Sequence, residues 1–169
     1  MKSVCVYCGS NTGRLPAYSE AARQLGSALV ERGLGLVYGG ASVGIMGVVA
    51  DTVLALGGHV TGVIPESLVR KEIAHRGLSE LRVTASMHER KTLMAGLSDG
   101  FVALPGGIGT LEEVFEAWTW AQLGLHHKPC GLLNVAGYFD GLVAFLDHAA
   151  RERFVRAATR SMLIVGDDP

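Results

Sequence analysis

The sequence lacks the signatures of most nucleotide and hydrolase machinery. It has no G-x-x-x-x-G-K-[ST], so a P-loop is excluded. No G-x-G-x-x-G follows the first apolar run, which argues against a redox dinucleotide. No G-x-S-x-G occurs, which disfavours a serine hydrolase. The histidines (His59, His75, His88, His126, His127, His148) show no ligand spacing, so no metal is expected. Charge is scarce and balanced: charged residues make up 18% and the net charge is -1. Without a basic face, neither nucleic acid nor a membrane surface is an expected partner. The start, MKSVCVYCGS, has no long apolar segment before a small-residue cleavage site, so a cytoplasmic protein with reduced thiols is expected. Cysteine is limited to an odd three. Cys5 and Cys8 form a C-x-x-C inside an apparent strand, where i and i+3 point to opposite faces. They are read as small buried side chains rather than a metal or redox pair.

What is abundant is glycine, 23 residues, and apolar side chains, 49%. A chain of 169 residues suits one domain, 1–169, with a sizeable core. Residues 33–50 carry no charge, but the glycines of YGGAS interrupt them. A buried strand, a glycine loop and a buried helix explain that stretch better than a membrane span. Elsewhere the chain alternates. SVCVYCG, GLVYGG, HVTGVIP, residues 81–84, GFVALPGG, PCGLLN and SMLIV read as strands. Tyr18, Ala22, Leu25 and Leu29 recur at helical spacing, with Gly33 as a stop. Further helices are predicted over 44–56, 87–97, 111–123 and 138–151. Apolar strands alternating with helices predict an α/β fold: a central parallel sheet covered by helices on both faces. The polar segment 66–79 is read as a flap or a connecting loop.

In such sheets ligands bind beyond the carboxyl ends of the strands. Three glycine turns fall there: Gly9-Ser10-Asn11, Gly39-Gly40-Ala41-Ser42-Val43-Gly44, and Gly106-Gly107-Ile108-Gly109-Thr110. The third leads into a helix, whose first N–H groups and dipole suit a single phosphate, as in a mononucleotide. Thr110-Leu-Glu-Glu113 has the form of a capping box, with Thr110 as N-cap. Glu113 therefore has two compatible readings, cap and catalyst. Leu111, Val114, Phe115 and Trp118 define the expected core face of that helix, with Glu113 nearly opposite, beside Ala117 and Trp120. Ser86 and Glu89 form a second capping box. Arg90 falls in the apolar stripe of its helix (Met87, Leu93, Met94, Leu97), so its guanidinium must be paired. It makes a structural ion pair or grips a ligand. Lys91 is a phosphate contact or an ordinary surface lysine.

PGGIGTLEE (105–113) fits P-G-G-x-G-T-x-x-E, and MHERK (87–91) fits its partner motif. Together they resemble the Lonely Guy (LOG) family of cytokinin riboside 5′-monophosphate phosphoribohydrolases, which often carry the label "possible lysine decarboxylase". CVYCGS and VYGGASVGIMG also look like the family's first two turns, so the likeness covers nearly the whole chain. The resemblance implies a Rossmann-like fold, a homodimer and no cofactor. It implies hydrolysis of a nucleoside 5′-monophosphate, such as AMP, to free base and ribose 5-phosphate. It places catalysis on Arg90 and Glu113. Substrate or phosphate contacts would come from Glu72, Lys91, Gly106, Gly107, Ile108, Gly109, Thr110, Leu111, Glu112 and Thr119. Two departures stand out. Ala41 occupies a position where many relatives have a third glycine, and many continue with a further helix after the last apolar run. A nucleotide-binding protein of this fold without turnover is the alternative. Lysine decarboxylation would need pyridoxal phosphate on a lysine. Lys2, Lys71, Lys91 and Lys128 are the lysines, and none sits in a recognisable cofactor motif.

Overall fold

The computed structural model describes residues 1–69 and 73–169. The strands are β1 (Ser3–Tyr7), β2 (Gly35–Tyr38), β3 (Val60–Pro65), β4 (Glu80–Thr84), β5 (Phe101–Ala103), β6 (Cys130–Leu133) and β7 (Leu163–Gly166). The helices are α1 (Pro16–Glu31), α2 (Gly44–Ala55), the short α3 (Glu66–Val69), α4 (Met87–Leu97), α5 (Ile108–Gln122), α6 (Asp140–Arg151) and the short α7 (Ala157–Ser161). A 3-10 turn, Val135–Gly137, precedes α6. Helix α1 starts on Pro16, whose missing N–H costs nothing in a first turn, and the chain leaves it through Gly33 at φ +66.

The seven strands form one parallel sheet in the order β4-β3-β2-β1-β5-β6-β7. This is the expected α/β, Rossmann-like architecture. Alternation along the strands divides the core in two. Val4, Val6, Leu36, Tyr38 and Val60 pack with α1 and α2 on one face. Cys5, Tyr7, Val37, Val63, Phe101 and Ala103 pack with α4, α5 and α6 on the other. Cys5 and Cys8 fall on opposite faces, as their spacing demands. Burial of each large apolar side chain contributes about 1.5–3 kcal/mol.

The direction of winding across the sheet reverses at β1, which has β2 on one side and β5 on the other. Connections running opposite ways from neighbouring strands open a crevice between the loops after β1 and β5. The uncharged stretch 33–50 is β2, a glycine turn and the first half of α2. Among the described residues no helix is long and apolar enough to cross a membrane.

Candidate active site

The three glycine turns meet over this crevice. The Gly9 N–H donates to the Pro105 carbonyl at 3.2 Å, joining the first turn to the third. The Ile45 N–H donates to the Gly9 carbonyl at 3.0 Å, joining the first to the second. Gly44, at φ +61, lies so close to the first turn that a Cβ would sit 2.2 Å from the Ser10 carbonyl carbon. Ala41 fits its place: Gly40 takes the left-handed conformation at φ +75, and Ala41 pairs in an antiparallel bridge with Ala74.

Helix α5 begins earlier than the sequence predicts. Its N-cap is Gly107, in extended conformation with no side-chain cap, and Ile108 is the first helical residue. Thr110 is therefore not the N-cap. It lies in the first turn, buried, and packs on the third glycine turn: a Cβ on Gly106 would meet its Oγ1 at 2.1 Å. Ile108 and Gly109 read as loop in sequence, yet the helix takes in both. Its first N–H groups have no partner within the helix and no side-chain cap. This is the arrangement that accepts an anion.

The early start removes the capping explanation of Glu113, which sits well inside the helix. The expected faces of α5 also shift. Ala117 is buried with Val114 and Trp118, whereas Leu111 and Phe115 are only partly buried. The Glu113 side chain, 11% exposed, accepts a hydrogen bond from Arg90 Nη1 at 2.5 Å. Helix α4 starts as predicted: the Glu89 N–H donates to Ser86 Oγ at 3.1 Å, and the Glu89 carboxylate reaches back to the Ala85 N–H at 2.8 Å. That start places Arg90 against the end of β3, where its Nε donates to the Val63 carbonyl at 2.9 Å. Gly39 gives the guanidinium room, since a Cβ there would meet Arg90 Nη2 at 2.5 Å. The arginine of the apolar stripe is thus paired twice over, while Met87 of that stripe is exposed. Burial pushes the Glu113 carboxyl above the ordinary glutamate range, and the Arg90 charge and hydrogen bond pull it back only in part.

The pair opens into a cavity of about 410 Å³, within the usual range for a small-molecule site. Ser10, Thr110, Arg90, Glu113, Gly107 and Gly109 supply its polar wall. Met46, Ile64, Leu68, Ile73 and Met87 supply an apolar wall that the sequence reading missed. Ile64 lies near the end of β3, Met46, Leu68 and Met87 lie in α2, α3 and α4, and only Ile73 is in a loop, so no local pattern marked them as one wall. Part of the 66–79 segment is pinned over the second glycine turn: the Ser42 N–H donates to the Ile73 carbonyl at 2.9 Å, and the His75 N–H to the Gly40 carbonyl at 2.8 Å.

Other expected contacts lie elsewhere. Gly106 lines a smaller neighbouring cavity of about 190 Å³, and Tyr138 donates from its hydroxyl to the Gly106 carbonyl at 2.5 Å. Leu111, Glu112 and Thr119 are not among the residues that line the larger cavity. Lys91 is not among them either; it is buried, with Nζ 2.5 Å from Glu112 Oε1 and 3.0 Å from Glu116 Oε2. It is thus no ordinary surface lysine. Glu72 lies outside the described residues.

A doubly wound parallel sheet, with an uncapped helix start and a buried Arg–Glu pair at one cavity, defines a Rossmann-like protein of the nucleotide-site class. Comparison with known proteins sharpens this. Residues 46–169 match the family model described as "Possible lysine decarboxylase". The chain is 54% identical to the "Probable cytokinin riboside 5'-monophosphate phosphoribohydrolase LOGL5" of Oryza sativa subsp. japonica, over 96% of this chain and 66% of that one. It is 52% identical to a cytokinin riboside 5′-monophosphate phosphoribohydrolase of Arabidopsis thaliana, over 96% of this chain and 75% of the other. In fold it is similar to the molybdenum cofactor binding protein from Rippkaea orientalis, with TM-score 0.72, 23% identity, and 100% and 91% of the two chains covered. The chain belongs to the Lonely Guy family.

Proposed function

We propose that this chain is a phosphoribohydrolase, a hydrolase of N-glycosyl bonds. It cleaves cytokinin riboside 5′-monophosphates, AMP or both to free base and ribose 5-phosphate, without a cofactor. The observation that carries this reading is the buried Arg90–Glu113 pair facing the same cavity as the uncapped start of α5. The relatives' names point the same way.

The 5′-phosphate rests on the N–H groups and dipole at Gly107, Ile108, Gly109 and Thr110. Gly106 and Leu111 shape the turn from behind. Anchoring the phosphate fixes the ribose in register with Glu113. Breaking the C–N bond leaves positive charge on the sugar, as in other glycosyl hydrolyses. The Glu113 carboxylate stabilises that charge and orients the attacking water. The bond's electron pair departs on the base, where the Arg90 guanidinium compensates the negative charge; the water gives up one proton as its oxygen bonds the ribose carbon, and the base takes up one proton to leave neutral. The apolar wall of Met46, Ile64, Leu68, Ile73 and Met87 suits a base with a hydrocarbon substituent. Glu72 and Thr119 are substrate contacts on the family's pattern, and Glu112 supports the motif from outside the cavity. The working unit is one catalytic domain over 1–169, in a cytoplasmic homodimer. Exposed Ile108 and Met87 border the site, as a subunit contact there would require.

The test is product analysis by mass spectrometry, with AMP and N6-isopentenyladenosine 5′-monophosphate as substrates. Free base and ribose 5-phosphate are expected. Intact nucleotide in both reactions would contradict the reading.

A further inference from the structure

Glycines let the third turn approach a ligand closely but leave its peptides loose. A Cβ on Gly107 or Gly109 would meet no heavy atom within 4 Å, so packing does not fix these peptides. Hydrogen bonds do. The Pro105 carbonyl accepts from the Gly9 N–H at 3.2 Å, and the Gly107 carbonyl from the Leu111 N–H at 3.2 Å. The carbonyl between them, on Gly106, accepts from a side chain, the Tyr138 hydroxyl, at 2.5 Å. This middle peptide joins two glycines, and backbone sterics leave it free to turn over. Its two orientations present opposite charge. In a trans peptide the C=O and the following N–H point opposite ways, so a carbonyl turned to Tyr138 sends the Gly107 N–H away from it. Gly106 lines the smaller cavity and Gly107 lines both, which makes this peptide part of the wall between them. Turned over, it would show an anion a carbonyl oxygen in place of a donor.

The turn that carries Tyr138 is built at a conformational cost. Ala136 stands at φ +51 and Gly137 at φ +71, two left-handed residues in a row, the first of them with a Cβ. A Cβ on Gly137 would meet Asp140 Oδ2 at 2.6 Å. Asn134 braces the turn: its Oδ1 accepts from the Phe139 N–H at 2.7 Å, and its Nδ2 donates to Asp140 Oδ1 at 2.7 Å. The Tyr18 ring meets the Tyr138 ring edge-on, with centroids 5.7 Å apart. Strain that the surrounding structure holds in place gathers at functional segments, and the group delivered here is the Tyr138 hydroxyl. We propose that Tyr138 is a positioning residue: it locks the Gly106–Gly107 peptide, keeping the Gly107 N–H on the side of the larger cavity and the Gly106 carbonyl off the phosphate. The lock rests on the placing of the 5′-phosphate proposed above. Tyr138 acts through the glycine turn, so its effect is confined to ligands that carry the phosphate.

The experiment titrates the full chain, labelled with 15N-glycine, with ribose 5-phosphate, a ligand that carries the phosphate and has no glycosidic bond to break. Amide shifts give the affinity and report on Gly107 directly. In wild type the Gly107 amide is expected to move. Tyr138→Phe keeps the ring and removes the hydroxyl; it is expected to bind ribose 5-phosphate about fivefold more weakly, the share of one hydrogen bond, with most of the Gly107 shift lost. Adenosine, which lacks the phosphate, is expected to bind both proteins equally. A merely structural loss would weaken both ligands alike. Asn134→Ala keeps the tyrosine and loosens its turn; a loss of about threefold for ribose 5-phosphate alone is expected, and it decides the matter if Tyr138→Phe fails to fold. Unchanged affinity for ribose 5-phosphate in the folded variant, or an equal loss for adenosine, would overturn the lock. None of these readouts needs turnover. Wild type that releases no base yet shows the Tyr138-dependent shift would sink the phosphoribohydrolase and leave the lock standing; base release with an unmoved Gly107 amide would do the reverse.

Discussion

At the scale of the residue, the site turns on a buried carboxylate and its arginine. Breaking a buried ion pair by removing one partner is far costlier than the pair's net contribution, because the remaining charge stays desolvated. Arg90→Met therefore leaves Glu113 without its nearest cation, and a destabilisation of about 3 kcal/mol is expected near neutral pH. The sign of its pH dependence follows from Glu113, whose folded-state proton affinity is already raised by burial. A carboxyl of this kind favours the fold while protonated, and that contribution is lost as pH rises through its folded value. The penalty of Arg90→Met should shrink towards acid, as denaturant melts at several pH values will show; a penalty independent of pH would place the loss in packing alone. The same raised affinity bears on turnover. If ionised Glu113 is the working form, activity on the acid side should fall at a pH above the ordinary glutamate value of 4.5, read from kcat/KM against pH.

At the scale of the element, two similar sequence patterns start two helices in different ways. Ser86 accepts from the Glu89 N–H as the spacing predicts, while the Glu89 carboxylate reaches one residue further back, to the Ala85 N–H, so Ser86→Ala should cost about 1 kcal/mol in stability, checked by chemical denaturation. Thr110 and Glu113 have the same spacing and make neither contact, because Gly107 takes the cap position and Ile108 and Gly109 enter the helix. The period of the apolar residues in α5 was legible; the three residues ahead of them were not, since glycines that read as loop also tolerate a helical first turn. Arg90 was legible as an anomaly, a charge within an apolar stripe, but its Val63 and Glu113 partners arise from contacts distant in sequence. The role of Gly39 was equally hidden. It serves the packing of a side chain on another element, so Gly39→Ala is expected to displace Arg90 and lower kcat more than a conservative surface change would.

At the scale of the whole molecule, strand–helix alternation predicted the parallel sheet, and the strand order then brings residues 9, 44 and 107 together at one crevice. No local pattern states that convergence; it follows from the reversal of winding at β1. The two-sided core also hides all three thiols. Burial pushes Cys5 up to about 12 and Cys130 up to about 11, and pushes Cys8 up as well. Thiol reagents should therefore modify the native protein at neutral pH only as fast as it opens, which modification rates with and without denaturant will check. The chain spans 66% to 76% of the length of the curated relatives it matches, and the crevice with its two motif helices lies wholly within that shared part. The most direct measurement is base release from N6-isopentenyladenosine 5′-monophosphate by wild type and Glu113→Gln, beside nucleotide affinity for each by calorimetry. Turnover lost in the variant, with affinity within about threefold, is the expected result for a group that acts chiefly in the transition state. Near wild-type turnover in Glu113→Gln would contradict the placing of catalysis at the Arg90–Glu113 pair.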